Sequence, residues 1–259
     1  MNNQKTVLYL LIAAVVMVAA VFGALRLAGV FGGDEVPAYA MNKADVEKIV
    51  RNYLIENPEV IFEAVDAMKN KEEGQRLVKM RDKAKAHEPQ LYAEIDPLVA
   101  GNPKGDVTIV EFFDYRCPYC RKVKKNVTDL LNQDGNIKLI LKEFPILSPE
   151  SEMAAQVAIA SAAQGKYWDV HLAFMGAEDL TQERIFALAK EAGADINRLK
   201  ADLKDPKIAK RLAETQSLAR SIGIDATPTF FINDEPSTGA QTLDELKKAV
   251  AAARKAKQT

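Results

Sequence analysis

Two cysteines in 259 residues, placed three apart as Cys117-Pro118-Tyr119-Cys120, restrict this chain more than any other feature. A single pair is too few for a disulfide-dense scaffold, or for a four-thiolate zinc site within one chain, so the fold has to rest on an ordinary hydrophobic core. What is left for the pair is local redox chemistry, or half of a metal site shared between two chains. The composition supplies the core: 48% of the residues are hydrophobic, with 13 Gly and 11 Pro, which excludes global disorder and collagen-like repeats. With 35 Lys+Arg against 36 Asp+Glu there is no basic excess, and no nucleic-acid partner is expected.

The redox environment of the pair depends on the N-terminus. Thr6 to Leu25 is an uncharged apolar run of about 20 residues, the length that crosses a bilayer core. It reads as an uncleaved anchor, or as a signal peptide with Ala38-Tyr39-Ala40 as the small-x-small cleavage site. That triplet lies far beyond the run, which favours the anchor. Lys5 and the terminal amine against Arg26, followed by Asp34 and Glu35, favour an N-inside orientation. Both readings export everything after residue 40, to a periplasmic location tethered or free, where thiols can be oxidised and stay so.

Asn42-Lys43-Ala44-Asp45 predicts a capped helix carrying Val46, Ile49, Val50 and Tyr53. Asn57-Pro58-Glu59 predicts a second start, with Asn57 as its cap and Pro58 at the first helical position. From Lys69 to Glu88 the chain is mostly charged and suits an exposed helix or a solvated connector. Val107 to Phe113 is a β-branched and aromatic run fit for a buried strand, and the cysteine pair follows at once. Pro118 favours a helix start, and Val123, Val127, Leu130 and Leu131 recur at helical spacing, so Cys117 should sit at a helix N-terminus. Ile137 to Phe144 is a second strand, Ser148 to Gly223 is helical almost throughout, and Thr229 to Ile232 is a third strand. Asn233 to Glu235 reads as a turn, and Thr242 to Glu245 as a capping box that opens the last helix.

This order of elements, with Glu111 to Cys120 (EFFDYRCPYC) and Ala226 to Phe230 (ATPTF), resembles the DsbA family of thiol-disulfide oxidoreductases over residues 96–259. Tyr53 to Val60 (YLIENPEV) is similar to the N-terminal segment of the ScsC-type subfamily, the copper-stress relatives. The resemblance implies an α/β protein with a thioredoxin-like fold, a helical insertion at about 148–224 and a small N-terminal helical segment. The expected domains are 1–40, an anchor or signal plus linker; 41–95, the helical segment; and 96–259, the thioredoxin-like domain. Residues 42–70 are the region through which a homo-oligomer would form. The resemblance also implies a cis Pro228 facing the active site, client proteins carrying cysteines, and a membrane redox partner, with no cofactor and no resident metal.

The residues give their own reason for the chemistry. A thiolate attacks a disulfide, and a helix N-terminus stabilises its charge, which makes Cys117 the nucleophile and the more interior Cys120 the resolving partner. Pro118 and Tyr119 shape the contacts open to the Cys117 sulfur, and the resemblance implies that they, with Thr227 and Pro228, touch the substrate. Glu111 is odd inside an apolar strand; by resemblance it is the buried acid near the resolving cysteine, a proton acceptor, and otherwise an edge-facing carboxylate. Arg116 and Arg121 either add positive potential at Cys117 or are solvated. His171, on an apolar helix, reads as a core histidine with a hydrogen-bonded ring, and His87 as a solvated residue of the connector. Two other readings stay open: a copper-stress protein holding Cu(I) through the same sulfurs, and a tethered interaction module whose thiols are incidental.

Overall fold

The computed structural model describes residues 17, 20, 42–93 and 98–258. The apolar run from Thr6 to Leu25 lies outside them apart from Met17 and Ala20, and both readings of that run lie outside with it. Among the described residues no helix is long and apolar enough to cross a membrane.

The chain divides into two compact units, residues 1–67 and 68–259. The first holds α1 (Lys43–Glu56) and the start of α2 (Glu59–Ala86). Asn42 caps α1 as its sequence predicts, accepting from the Asp45 backbone N–H at 3.0 Å. Asn57 does not cap α2: its backbone N–H and side-chain amide both donate to the Tyr53 carbonyl, so it closes α1. The side chain is turned back onto the end of α1, and the proline beside it is not the obstacle, since Ser148 before Pro149 and Asp205 before Pro206 both cap their helices. No residue of α1 is buried, and Ile49, Val50, Tyr53, Ile61 and Phe62 are exposed.

In the second unit a five-stranded sheet runs in the order β1 (Val99–Gly101), β3 (Ile137–Glu143), β2 (Val107–Phe113), β4 (Thr229–Ile232), β5 (Glu235–Thr238). β2 and β3 are parallel, with Phe113 opposite Glu143, and the remaining pairings are antiparallel. The central strands are buried on both faces, which is why they read as apolar runs rather than alternations. On one face Ile109, Phe113, Leu139, Leu141 and Phe230 pack against α4 (Pro118–Gln133), α10 (Leu243–Ala256) and the helical insertion. That insertion comprises α5 (Pro149–Ser161), a short 3-10 turn, α6 (Tyr167–Gly176), α7 (Gln182–Glu191), α8 (Ile196–Asp202) and α9 (Pro206–Ile222). On the other face Val110, Phe112, Ile140 and Phe231 meet Met80 and Ala84 of α2, Leu91 of the short α3 (Glu88–Leu91), and Leu218 and Ile222 of α9.

The stretch from Lys69 that reads as an exposed helix or connector is therefore a helix with a buried stripe. Its polar face is tied to the same unit by Arg76 to Asp225 and Glu73 to Thr238, at 2.9 and 2.8 Å. β1 and β5 are strands the sequence pattern does not announce, and Glu235 begins β5 rather than ending the turn. The turn itself forms at Asn233, whose φ is 50°. The capping box of Thr242 and Glu245 opens α10 as predicted, and α9 ends at Gly223 in the left-handed region, φ 89°.

Candidate active site

β2 delivers the chain to a turn, Asp114 to Arg116, and α4 begins immediately after it. Cys117 is the N-cap of α4 and Pro118 its first residue. One helical turn later Cys120 points into the core, fully buried, whereas Cys117 is 4% exposed beneath Pro118 and Tyr119, the latter 59% exposed. The thiol of Cys117 donates to the Thr227 carbonyl at 3.2 Å, and the Thr227–Pro228 peptide is cis. Thr229 Oγ1 donates to the Ala226 carbonyl at 2.8 Å, and Gly239 N–H to the Pro228 carbonyl at 2.9 Å, which fixes this loop at the head of β4. Cys117, Cys120, Thr227 and Pro228 thus come together from segments 110 residues apart. Glu111 shares a face of β2 with Ile109 and Phe113, so it faces α4 and the Cys120 side of the sheet; it is buried and does not lie at an edge.

The two sulfurs have opposite electrostatics. The Cys120 side chain, the Thr227 side chain and the free backbone N–H groups of Cys120 and Tyr119 outweigh burial and bring Cys117 down to about 5. Burial, the neighbouring Cys117 and the charge of Glu111 push Cys120 well above the ordinary thiol range. At neutral pH the pair is one thiolate over one thiol. Burial raises Glu111 to about 8, so near neutrality it is mostly protonated, with a carboxylate fraction available to take a proton from a group beside it.

Neither arginine beside the pair acts on it. Arg116 pairs with Glu150 at 2.7 Å, and Arg121 donates to the carbonyls of Ala177 and Glu178, bracing α4 against the loop that precedes α7. His171 is buried with its Nδ1 3.2 Å from the Tyr115 hydroxyl, and burial brings it down to about 3, so it is a neutral core histidine. His87 Nδ1 lies 3.0 Å from the Lys83 carbonyl.

Several polar residues near the site escape a reading by pattern. Glu143 is buried at the end of β3 and accepts from the hydroxyls of Tyr115 and Tyr167 at 2.7 and 2.9 Å. Lys142, on the opposite face, is buried with its ammonium donating to the carbonyls of Gln90 and Ala93. Asp114 is 1% exposed and holds four donors. The available signal was its position: an acid that ends an apolar strand three residues before a cysteine fits an Asx turn. Among the described residues no group of three or more His, Cys, Asp or Glu side chains is placed to hold a metal.

A three-layer α/β fold whose CxxC helix faces a cis-proline loop defines a thioredoxin-like protein. The thioredoxin family model matches residues 93–252, and the chain belongs to that family. Residues 42–75 match the N-terminal domain of the copper resistance protein ScsC, so the chain combines a DsbA-like domain with an ScsC-type N-terminal segment. A thioredoxin-like oxidoreductase from Silicibacter pomeroyi DSS-3 is 38% identical, with TM-score 0.62, covering 64% of this chain and 97% of that one. The thiol-disulfide exchange protein alpha-DsbA2 from Wolbachia pipientis is 29% identical, with TM-score 0.64, covering 69% and 97%. Na(+)/H(+) antiporter NhaA 1 of Salinispora arenicola is 32% identical over 171 residues, which are 63% of this chain and 26% of that protein. The chain thus spans about a quarter of the length of the curated relatives it matches.

Proposed function

We propose that this chain is an exported thiol-disulfide oxidoreductase acting on cysteine-containing client proteins in the periplasm, with Cys117 as nucleophile and Cys120 as resolving thiol. The observation that carries the reading is the split between the sulfurs: a thiolate at the mouth of α4 beside Thr227 and cis-Pro228, over a buried thiol within the field of Glu111. In the oxidising direction a client thiolate attacks the Cys117 sulfur of the Cys117–Cys120 disulfide, and Cys120 leaves as a thiolate that takes a proton from Glu111. A second client thiolate then attacks the client sulfur of the mixed disulfide, and Cys117 leaves. Two electrons pass from the client to the pair. Reversal reduces a client disulfide, and Glu111 accepts the Cys120 proton before Cys120 attacks.

Pro118, Tyr119, Thr227 and Pro228 form the surface a client backbone meets. The stabilised thiolate favours the reduced form, so the disulfide is an oxidant, to be recharged by a membrane redox partner. Domains of 1–40, 41–95 and 96–259 fit this reading, the first tethering or exporting the rest. The exposed apolar side chains of α1 support assembly of copies through residues 42–70. Several sites in one assembly would favour isomerisation over simple oxidation.

Refolding of scrambled ribonuclease by the reduced protein, beside oxidation of a reduced peptide by the oxidised protein, tests this. Wild type is expected to do both, and Cys117→Ser neither. Loss of isomerisation alone leaves an oxidase; a wild type inactive in both assays removes the reading.

The ScsC-type segment favours a second reading, Cu(I) held between the two sulfurs. Titration of the reduced protein with Cu(I) against a competing chelator decides it, and affinity no better than that of a free dithiol removes it.

A further inference from the structure

The parallel strands β2 and β3 end side by side, and the chain leaves them in two directions: from Phe113 through Asp114 to Cys117, and from Glu143 to Ile146, Leu147 and the start of α5. One side chain spans both exits. Asp114 Oδ1 accepts from the Arg116 backbone N–H at 2.7 Å and from Ser151 Oγ at 2.8 Å. Its Oδ2 accepts from the backbone N–H groups of Ile146 and Leu147, at 2.8 and 3.0 Å. The backbone of the same residue reaches both cysteines: its carbonyl accepts from Cys117 N–H at 3.1 Å, and its N–H faces the Cys120 sulfur.

We propose that Asp114 is a positioning residue that clips the turn presenting Cys117 to the Ile146–Leu147 loop, so that the reactive sulfur and the apolar side chains of that loop are held as one docking unit for a client. The inference rests on the redox reading above. A buried carboxylate is costly unless its lone pairs are filled, and here both oxygens are filled, by donors from the Cys117 turn, the Ile146–Leu147 loop and the first turn of α5. A cap of the turn alone would need only Arg116 N–H. The two further backbone donors belong to Ile146 and Leu147, whose side chains are exposed although apolar. An extended client segment entering beside Thr227 meets a surface whose far side is thereby fixed.

The other charged groups near this clip have separate partners. Arg116 pairs with Glu150, and Glu143, which feels the charge of Asp114, is held by Tyr115 and Tyr167. What Asp114 contributes at Cys117 is therefore geometry. It aligns the start of α4, whose N–H groups stabilise the thiolate.

Asp114→Asn tests this in the full chain, because an amide offers one acceptor oxygen and can keep the Ile146–Leu147 pair or the Arg116–Ser151 pair, not both. With the fold verified by circular dichroism, the pH midpoint of Cys117 alkylation is expected to rise by about half a unit to one unit. KM for a reduced peptide with apolar residues flanking its cysteine is expected to rise about threefold to tenfold. A folded variant with midpoint and KM both unchanged would overturn the proposal and leave Asp114 a purely structural residue. If Asp114→Asn does not fold, Ser151→Ala removes one of the four donors, and shifts of the same sign but smaller are expected; none overturns the proposal. A wild-type chain without exchange activity would defeat the redox reading, while the alkylation midpoints of wild type and variant would still judge Asp114.

Discussion

Helices α1 and α4 are built from the same kind of sequence and meet opposite fates. Both carry apolar residues at helical spacing among charges. In α4, Val123, Val127 and Leu130 are buried against the sheet, whereas in α1, Val46, Ile49, Val50 and Tyr53 all remain exposed. Amphipathic pattern fixes where a helix wants to be covered, not what covers it. The sheet beside α4 supplies a partner within the chain. Among the described residues the stripe of α1 stays uncovered, and a second copy of the same stripe is the occupant the proposed assembly would provide.

The contrast breaks most sharply under truncation. Leu130→Ala should destabilise the reduced protein by about 2–5 kcal/mol in urea unfolding, because it leaves a cavity under the active-site helix. Ile49→Ala should cost less than about 0.5 kcal/mol in the same titration at high dilution. Equal costs would mean that α1 is already packed.

The next effect belongs to the site. Glu111→Gln keeps the volume of the side chain and removes the proposed proton acceptor, so resolution of a mixed disulfide by Cys120 should slow by about tenfold to a hundredfold. Trapping the Cys117 adduct and following its decay by mass spectrometry measures this. Decay at the wild-type rate would assign Glu111 a packing role.

A pH effect follows from the sulfurs. Folding lowers Cys117 from the ordinary 9.0 to about 5, so the folded reduced protein releases that proton more readily than the unfolded chain. Its contribution is fully present above pH 9 and is lost as pH falls toward 5. The stability difference between reduced wild type and Cys117→Ser should therefore grow from pH 5 to pH 9 in urea titrations. Glu111, raised to about 8, acts oppositely in both proteins and cancels in that difference. A gap that shrinks with pH would contradict a stabilised thiolate. The smallest change lies in the arm: Ile49→Asp with Tyr53→Glu should leave per-site peptide oxidation within about twofold and lower the mass seen by light scattering.

Much of this was legible in the sequence where local pattern and tertiary demand coincide. The apolar run ending at Phe113, the proline after Cys117 and the capping box at Thr242 each fix their own backbone, and the elements formed as read. Asn57 misled because it lies between two helices and its amide and N–H both serve the end of the first, a choice its letter does not reveal. β1 was missed because Val-Ala-Gly is too short to carry a pattern, and β5 because Glu-Pro-Ser-Thr lacks the apolar run that marks the equally short β4, Thr-Phe-Phe-Ile. Asp114, Lys142 and Glu143 were invisible as buried polar residues, since what makes their burial tolerable lies on other segments: Ser151, the carbonyls of Gln90 and Ala93, and Tyr167. A charged residue in a strand shows its letter and hides its partner.

The indole of Trp168, the chain's one tryptophan, lies flat against the imidazole of His171, with ring centroids 5.2 Å apart and planes at 12°. That imidazole touches Phe113 and Tyr115, on the segment that runs into Cys117. The molecule thus carries its own lamp beside the site: fluorescence from one fluorophore, in contact with the residues that lead to the reactive sulfur, with no label needed. A charged imidazole quenches indole emission, and this one stays neutral down to about pH 3. A change in brightness between the oxidised and reduced protein at physiological pH would therefore report the sulfurs or the packing around the indole, and not a proton arriving on that ring.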